Sequence, residues 1–383
     1  LHNAEAEAVN IDAIPEIDHA GAPMPRPTLA RIGGPMAPIA ALSRPGVHRL
    51  CSNESPLGPS TAAIAAATAV LPRAHEYPEG EGGDLCAAIG ARYGVAADRV
   101  RLGPGSDLLL LNTVLALAGP GDEVIFSARG YARCARNALI AGATPVAASD
   151  RDFRADPDAI LDAITPRTRL VMLANPDNPS GAMLTLETIT ALHTRLPAGV
   201  LLVLDGAYAD YVRDPAYGDG GLGLSAAAPN VLVSRTFSKL FGLAGMRLGW
   251  ITGSAQVLDA VAKVGPTFPV SIPAIAAGCA ALADAAHQYA ARAHNDRWLP
   301  WLADALAADP RLRLHPSQAN FQLIDFPSPE LAQACTARLA DEGILVRNFL
   351  GGAHARQMRI SIGDGAALTR AADLILSFLK KGH

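Results

Sequence analysis

Lysine is nearly missing from this chain. Its 383 residues include 32 Lys+Arg against 36 Asp+Glu, a formal charge of −4, yet lysine stands only at Lys239, Lys263, Lys380 and Lys381. The remaining cations are arginine. That balance excludes a lysine-rich nucleic-acid arm and a polybasic membrane patch. Cysteine is also sparse. Cys51, Cys86, Cys134, Cys279 and Cys335 are scattered and include no CxxC pair, which excludes a disulfide framework and a cysteine-based zinc site. The ten histidines form no HExxH, so no metal is expected. No run of about 18 apolar residues occurs, so no membrane-spanning helix is expected either.

What is present is a globular composition, with 50% hydrophobic and 18% charged residues. The length suggests two or three domain-sized units, or one large enzyme domain with a smaller companion. Residues 1–48 are rich in Ala and Pro and read as a tail draped over the body. The expected location is the cytoplasm, with an exported form after N-terminal processing left open.

From about residue 83 the sequence alternates helical and strand patterns. Residues 84–93 and 106–118 read as helices, the second opened by Ser106 and Asp107 and stopped by Gly119-Pro120-Gly121. Short apolar runs of strand length follow at 123–127, 143–148, 169–174, 200–204, 231–235 and 248–252. Strands apolar throughout, separated by helices, predict a mostly parallel sheet covered on both faces. After about residue 290 the pattern changes. A long helix carries Trp298 and Trp301. A strand at 321–325, a helix at 328–342, strands at 344–347 and 358–362, and a final helix follow. The expected fold is α/β: a three-layer α/β/α large domain plus a smaller α+β domain. The expected division is tail 1–48, N-terminal segment 49–80, large domain 81–290 and small domain 291–383.

In such a sheet, ligands sit at the carboxyl ends of the strands. Three polar clusters fall there: Asn175 to Gly181, Asp205-Gly206-Ala207-Tyr208, and Ser234 to Lys239. Lysine can shed its proton near neutrality and form a Schiff base, which arginine cannot do. Nearby Arg247, placed two helical turns on, and Arg235 would help lower the pKa of Lys239. Asp205 ends an apolar strand, where an unpaired carboxylate is costly. It calls for a cation, and a protonated pyridine nitrogen would serve, with the ring acting as an electron sink. Tyr208 and Asn178 can donate to an oxygen on that ring. Gly103-Pro104-Gly105-Ser106-Asp107 opens a helix whose free N–H groups suit a phosphate. Thr236 and Ser238 add hydroxyls there, and Arg247 adds a forked donor. Tyr131 can stack on a flat cofactor.

The segments NPDNPSG, DGAY, SRTFSKLFGLAGMRLGW and MRISIG resemble those of the fold-type I, pyridoxal-phosphate-dependent aminotransferases. SNESPLGPS at 52–60, YPEGEGGDL at 77–85, SQANF at 317–321 and ILVRNF at 344–349 resemble the histidinol-phosphate aminotransferase branch. The resemblance runs from about residue 50 to the end. It implies pyridoxal 5'-phosphate as cofactor, with Lys239 forming the Schiff base and moving the proton, Asp205 pairing with the ring nitrogen, and Tyr208 and Asn178 holding the ring oxygen. It implies Tyr131 over the ring, and Ser106, Asp107, Thr236, Ser238 and Arg247 around the phosphate. Tyr77 would reach the cofactor of a neighbouring subunit, so a homodimer is implied. Arg359 would grip a substrate carboxylate and Arg347 a second anion, with Asn320 and Asn53 lining the substrate end. The reaction implied moves an amino group from an amino acid or amine to a 2-oxo acid such as 2-oxoglutarate. The sequence departs from the branch at Gly206, usually acidic, at Cys134, often tyrosine, and at 32–38, which lacks the usual tyrosine. The alternative is a decarboxylase of the threonine-phosphate type, which shares the motifs. A sensing domain without activity ranks lower, since no DNA-binding segment is attached. A nicotinamide enzyme would need a GxGxxG after an early strand, and none is present.

Overall fold

The computed structural model describes residues 26–32, 46–80, 82–349 and 352–380. In chain order its strands are β1 (His48–Leu50), β2 (Val100–Gly103), β3 (Glu123–Ser127), β4 (Thr144–Ala148), β5 (Asp150–Arg151), β6 (Arg154–Ala155), β7 (Thr168–Ala174), β8 (Leu201–Asp205), β9 (Val231–Thr236), β10 (Gly249–Thr252), β11 (Arg313–His315), β12 (Phe321–Asp325), β13 (Ile344–Asn348) and β14 (Gln357–Ser361). Seven of them form one sheet in the order β2-β10-β9-β8-β7-β3-β4. The five strands from β9 to β4 pair in parallel, and only β10 runs antiparallel to its neighbours.

Both faces of this sheet are covered, which is why its central strands carry no polar alternation. Every residue of β8 and β9 is buried. Each Leu or Val sealed there contributes roughly 1.5–3 kcal/mol relative to an exposed one. These strands end on polar residues at the same edge. Asp205 pairs in register with Ala174 of β7 and Ser234 of β9, so the three strand-end clusters converge as expected. The stretch between Lys239 and Arg247 differs from expectation. It is not helical. Gly242 (φ 68) and Arg247 (φ 50) adopt left-handed conformations around a single 3-10 turn, Ala244–Met246. The chain thereby doubles back into β10 and returns Arg247 toward the sheet edge.

The second sheet has the order β1-β13-β14-β12-β11 and is mixed, with β1 parallel to β13 and the other pairs antiparallel. It packs on the helices Ala285–Leu306, Pro329–Asp341 and Gly365–Lys380, around a core that includes Leu302, Ile324, Phe326, Met358 and Ile375. Residues 1–25 and 33–45 of the expected tail, including 33–38 of the segment lacking a tyrosine, lie outside the described residues. The described piece at 26–32 packs on the helix Arg133–Ala141, with Arg26 Nη2 donating to the Ile140 carbonyl at 2.6 Å.

Candidate active site

Asp205 lies at the floor of the convergence. Its Oδ1 accepts from Ser234 Oγ at 2.8 Å and from the Ala207 N–H at 3.2 Å. No cation pairs with it among the described residues, and burial pushes its carboxyl up to about 6. Arg235 lies behind it, buried, donating to the Gly206 carbonyl, the Tyr217 hydroxyl and the Asp219 carbonyl. A Cβ at position 206 would collide with Arg235 Nη1. The guanidinium occupies the space that a side chain at 206 would take, and it turns to backbone and phenol oxygens.

Lys239 follows β9 and is half-buried. Its Nζ donates to the Ser52 carbonyl at 3.1 Å and lies 5.7 Å from the centre of the Tyr208 ring. Burial, with Arg359 next in weight, brings its ammonium down to about 8. About one tenth of the amine is therefore neutral at pH 7, far more than for an ordinary lysine. Tyr208 is buried, and its hydroxyl receives Asn53 Nδ2 at 2.9 Å and Asn178 Nδ2 at 3.3 Å. Tyr131 is held well above the usual tyrosine range by burial and by the neighbouring carboxylates Asp107 and Asp205.

The helix Ser106–Leu117 starts at Gly105 (φ 83) with no side-chain cap. Its free N–H groups are left for a ligand. Arg247 lies directly over this turn, since a Cβ on Gly105 would meet its Nη2 at 2.5 Å. Thr236 Oγ1 donates to Ser238 Oγ at 3.0 Å and accepts from the Ser238 N–H at 3.2 Å. The carboxylate of Asp107 is committed to Arg133, leaving its backbone N–H as what it can offer an anion.

The second sheet closes the site. Arg359 is buried; its Nη1 donates to Asn178 Oδ1 and its Nη2 to the Cys51 carbonyl at 2.8 Å, while its buried Nε has no partner among the described residues. In register, Arg347 of β13 sits directly opposite Arg359 of β14. Asn320 Nδ2 donates to the Asn53 carbonyl at 3.1 Å, and its buried Oδ1 has no partner among the described residues.

The expected residues are thus brought together, with one exception. Tyr77 lies outside this network, 75% exposed, with its ring stacked on Phe268 at 4.4 Å. Asn53 is 1% exposed and has its side-chain groups engaged by protein. Sequence reading misses Ser52, whose carbonyl receives Lys239, and Arg133, and it assigns Arg235 to Lys239, whereas the guanidinium turns to Gly206, Tyr217 and Asp219. A carbonyl carries no residue-type signal, and Arg133 is indistinguishable among so many arginines.

A family model described as aminotransferase class I and II matches residues 45–375. A histidinol-phosphate aminotransferase of Paramagnetospirillum magneticum is 43% identical over 350 residues, covering 90% of this chain and 95% of that protein. The enzyme of the same name from Rhodospirillum centenum is 44% identical over 346 residues, covering 88% and 94%. The crystal structure of histidinol-phosphate aminotransferase from Sinorhizobium meliloti, in complex with pyridoxal-5'-phosphate, superposes with a TM-score of 0.81 at 30% identity, covering 87% of this chain and 91% of that one.

Proposed function

The chain belongs to the class I and II aminotransferases, and on that premise we propose that it uses pyridoxal 5'-phosphate to move an amino group from a phosphorylated amine of the histidinol-phosphate kind to a 2-oxo acid such as 2-oxoglutarate. The residues present fit this cofactor. A buried carboxylate without a cation suits a protonated ring nitrogen, an uncapped helix start beneath an arginine suits a phosphate, and a lysine brought down to about 8 suits an aldehyde.

When bound, the cofactor supplies an electron sink for the pair released at the donor's α-carbon. The chain supplies the rest. Asp205 keeps the ring nitrogen protonated. Tyr208 and the second N–H of Asn178 donate to the ring oxygen. Tyr131 covers the ring face. Ser106, Asp107, Thr236, Ser238 and Arg247 hold the phosphate. Lys239, free as an amine, takes the α-proton and returns it. Arg359 and Arg347 fix the substrate's anionic group, and Asn320 lines that end.

The observation that carries the substrate class is the pairing of Arg347 with Arg359 at one register position. Like charges directly opposite repel, and an anion between them offsets the repulsion. A phosphate on the donor, or the distal carboxylate of the acceptor, fits between two guanidinium groups. The measurement is a donor panel against 2-oxoglutarate: histidinol phosphate should outperform unphosphorylated amines in kcat/KM, with glutamate as product. Equal rates with and without the phosphate would sink the substrate class. Carbon dioxide without glutamate would move the assignment to decarboxylation.

We propose a homodimer, and the exposure of Tyr77 supports it. Tyr77 and Phe268 form an exposed stacked pair, and Ile64 and Leu71 are also more than half exposed. A second copy covering Tyr77 would place its hydroxyl near that copy's cofactor phosphate. The four-part division belongs to the same proposal. The pairing of β1 with β13 supports grouping the segment after residue 48 partly with the small sheet.

A further inference from the structure

Asn53 has a conformation and a set of partners that substrate contact does not explain. Its backbone is left-handed, at φ 55, a region that asparagine tolerates better than most residues. It joins three distant parts of the chain. Its Nδ2 donates to the Tyr208 hydroxyl at 2.9 Å. Its Oδ1 accepts from Ser361 Oγ, and its N–H donates to that same oxygen, both at 2.8 Å. Its carbonyl accepts from Asn320 Nδ2. Tyr208 follows the large-sheet strand β8, whereas Ser361 ends β14 two residues beyond Arg359.

We infer that Asn53 is a positioning residue that aims the Tyr208 proton at the cofactor's ring oxygen and ties that proton to strand β14. The inference rests on the functional reading above. A phenol oxygen has two lone pairs and one proton. Asn178 must present its NH2 to Tyr208, because its Oδ1 is taken by Arg359, which only donates. Asn53 presents a second N–H. Both lone pairs are then filled, and the proton is left for a third group. The two amide donors also make the hydroxyl a stronger donor. Ser361 sets which way the Asn53 amide faces by giving its own proton to Oδ1.

Asn53→Gly tests this, because glycine keeps the left-handed backbone without strain and leaves both backbone hydrogen bonds able to form. The readout is the pH midpoint of the visible absorbance band of the protein loaded with pyridoxal phosphate. A Tyr208 proton that is no longer aimed at the ring oxygen stabilises its negative charge less. The midpoint should rise by about 0.5–1 pH unit in Asn53→Gly and by less in Ser361→Ala. On a Tyr208→Phe background, Asn53→Gly should add no further shift. A full additional shift in the double variant, or an unmoved midpoint in the folded, loaded single variant, overturns the inference while leaving the aminotransferase reading in place. A parent protein that takes up no pyridoxal phosphate overturns both.

Discussion

Asp205 and Asp325 occupy matching places in the two sheets. Each is the last residue of a fully buried strand, β8 in one case and β12 in the other. Their surroundings differ. Asp325 accepts from His315 at 2.9 Å, Gln357 at 2.6 Å and Arg356 at 3.1 Å. Burial pushes its carboxyl up, but the bonds from His315 and Gln357 outweigh this and bring it down to about 2. Asp205 has one hydroxyl and one backbone N–H, and burial carries it up to about 6. Asp325 is a finished structural network. Asp205 is an unfinished one, and what it lacks among the described residues is a cation. A strand-end aspartate identifies a site by its missing partner, not by its position.

The sharpest test of this contrast is Asp325→Ala. Removing one partner of a buried network should cost about 3–5 kcal/mol, read as a loss of stability in denaturant melts, with kcat retained in the folded fraction at low temperature. Asp205→Ala should show the opposite pattern. Its kcat/KM should fall about 10²–10³-fold with little loss of apoprotein stability. If the two substitutions produce the same profile, the contrast fails.

A smaller effect isolates the sign. The folded carboxyl of Asp205 is raised above its unfolded value. The cost of ionising it is therefore absent at low pH, builds from about pH 4, and is complete above about 6. Asp205→Asn removes that cost. The apoprotein variant should be more stable than the parent at pH 7.5 by about 3 kcal/mol, and the gain should vanish below pH 4. Asp325→Asn should show no such gain at any pH. The gentlest test concerns Lys239. Uptake of pyridoxal phosphate by the apoprotein should speed up about tenfold per pH unit below about 8 and level off above it. A flat profile would place the limiting step elsewhere.

Much of this is legible in the sequence. The apolar strands 169–174, 200–204 and 231–235 are read from local composition, because a strand buried on both faces cannot alternate. The polar residues that follow them must then gather at one edge. That logic found Asp205, Lys239, Asn178 and Tyr208 together. It failed where a residue's role depends on what lies across from it. Asn53, which the resemblance sets at the substrate end, has its side chain bonded to Tyr208 and Ser361, which no local pattern shows. Arg247 looked helical, but a left-handed turn carries it back over Gly105. The vacancy at Gly206 looked like a lost carboxylate and is the space taken by Arg235.

The sequence alone determined the alternation of strands and helices and the residue types available at the strand ends. Among its four lysines it also marked Lys239 as the one set in a patterned segment. Those follow from hydrophobic burial and from the chemistry of an amine, which are properties of single residues and short runs. Only the tertiary structure decided that Asp205 lacks a cation while Asp325 has several donors, that Arg347 and Arg359 share a register position, and that Asn53 reaches Tyr208. These depend on long-range pairing, such as the 308 residues between Asn53 and Ser361. The energy of a buried polar group is set by the partner that folding delivers to it.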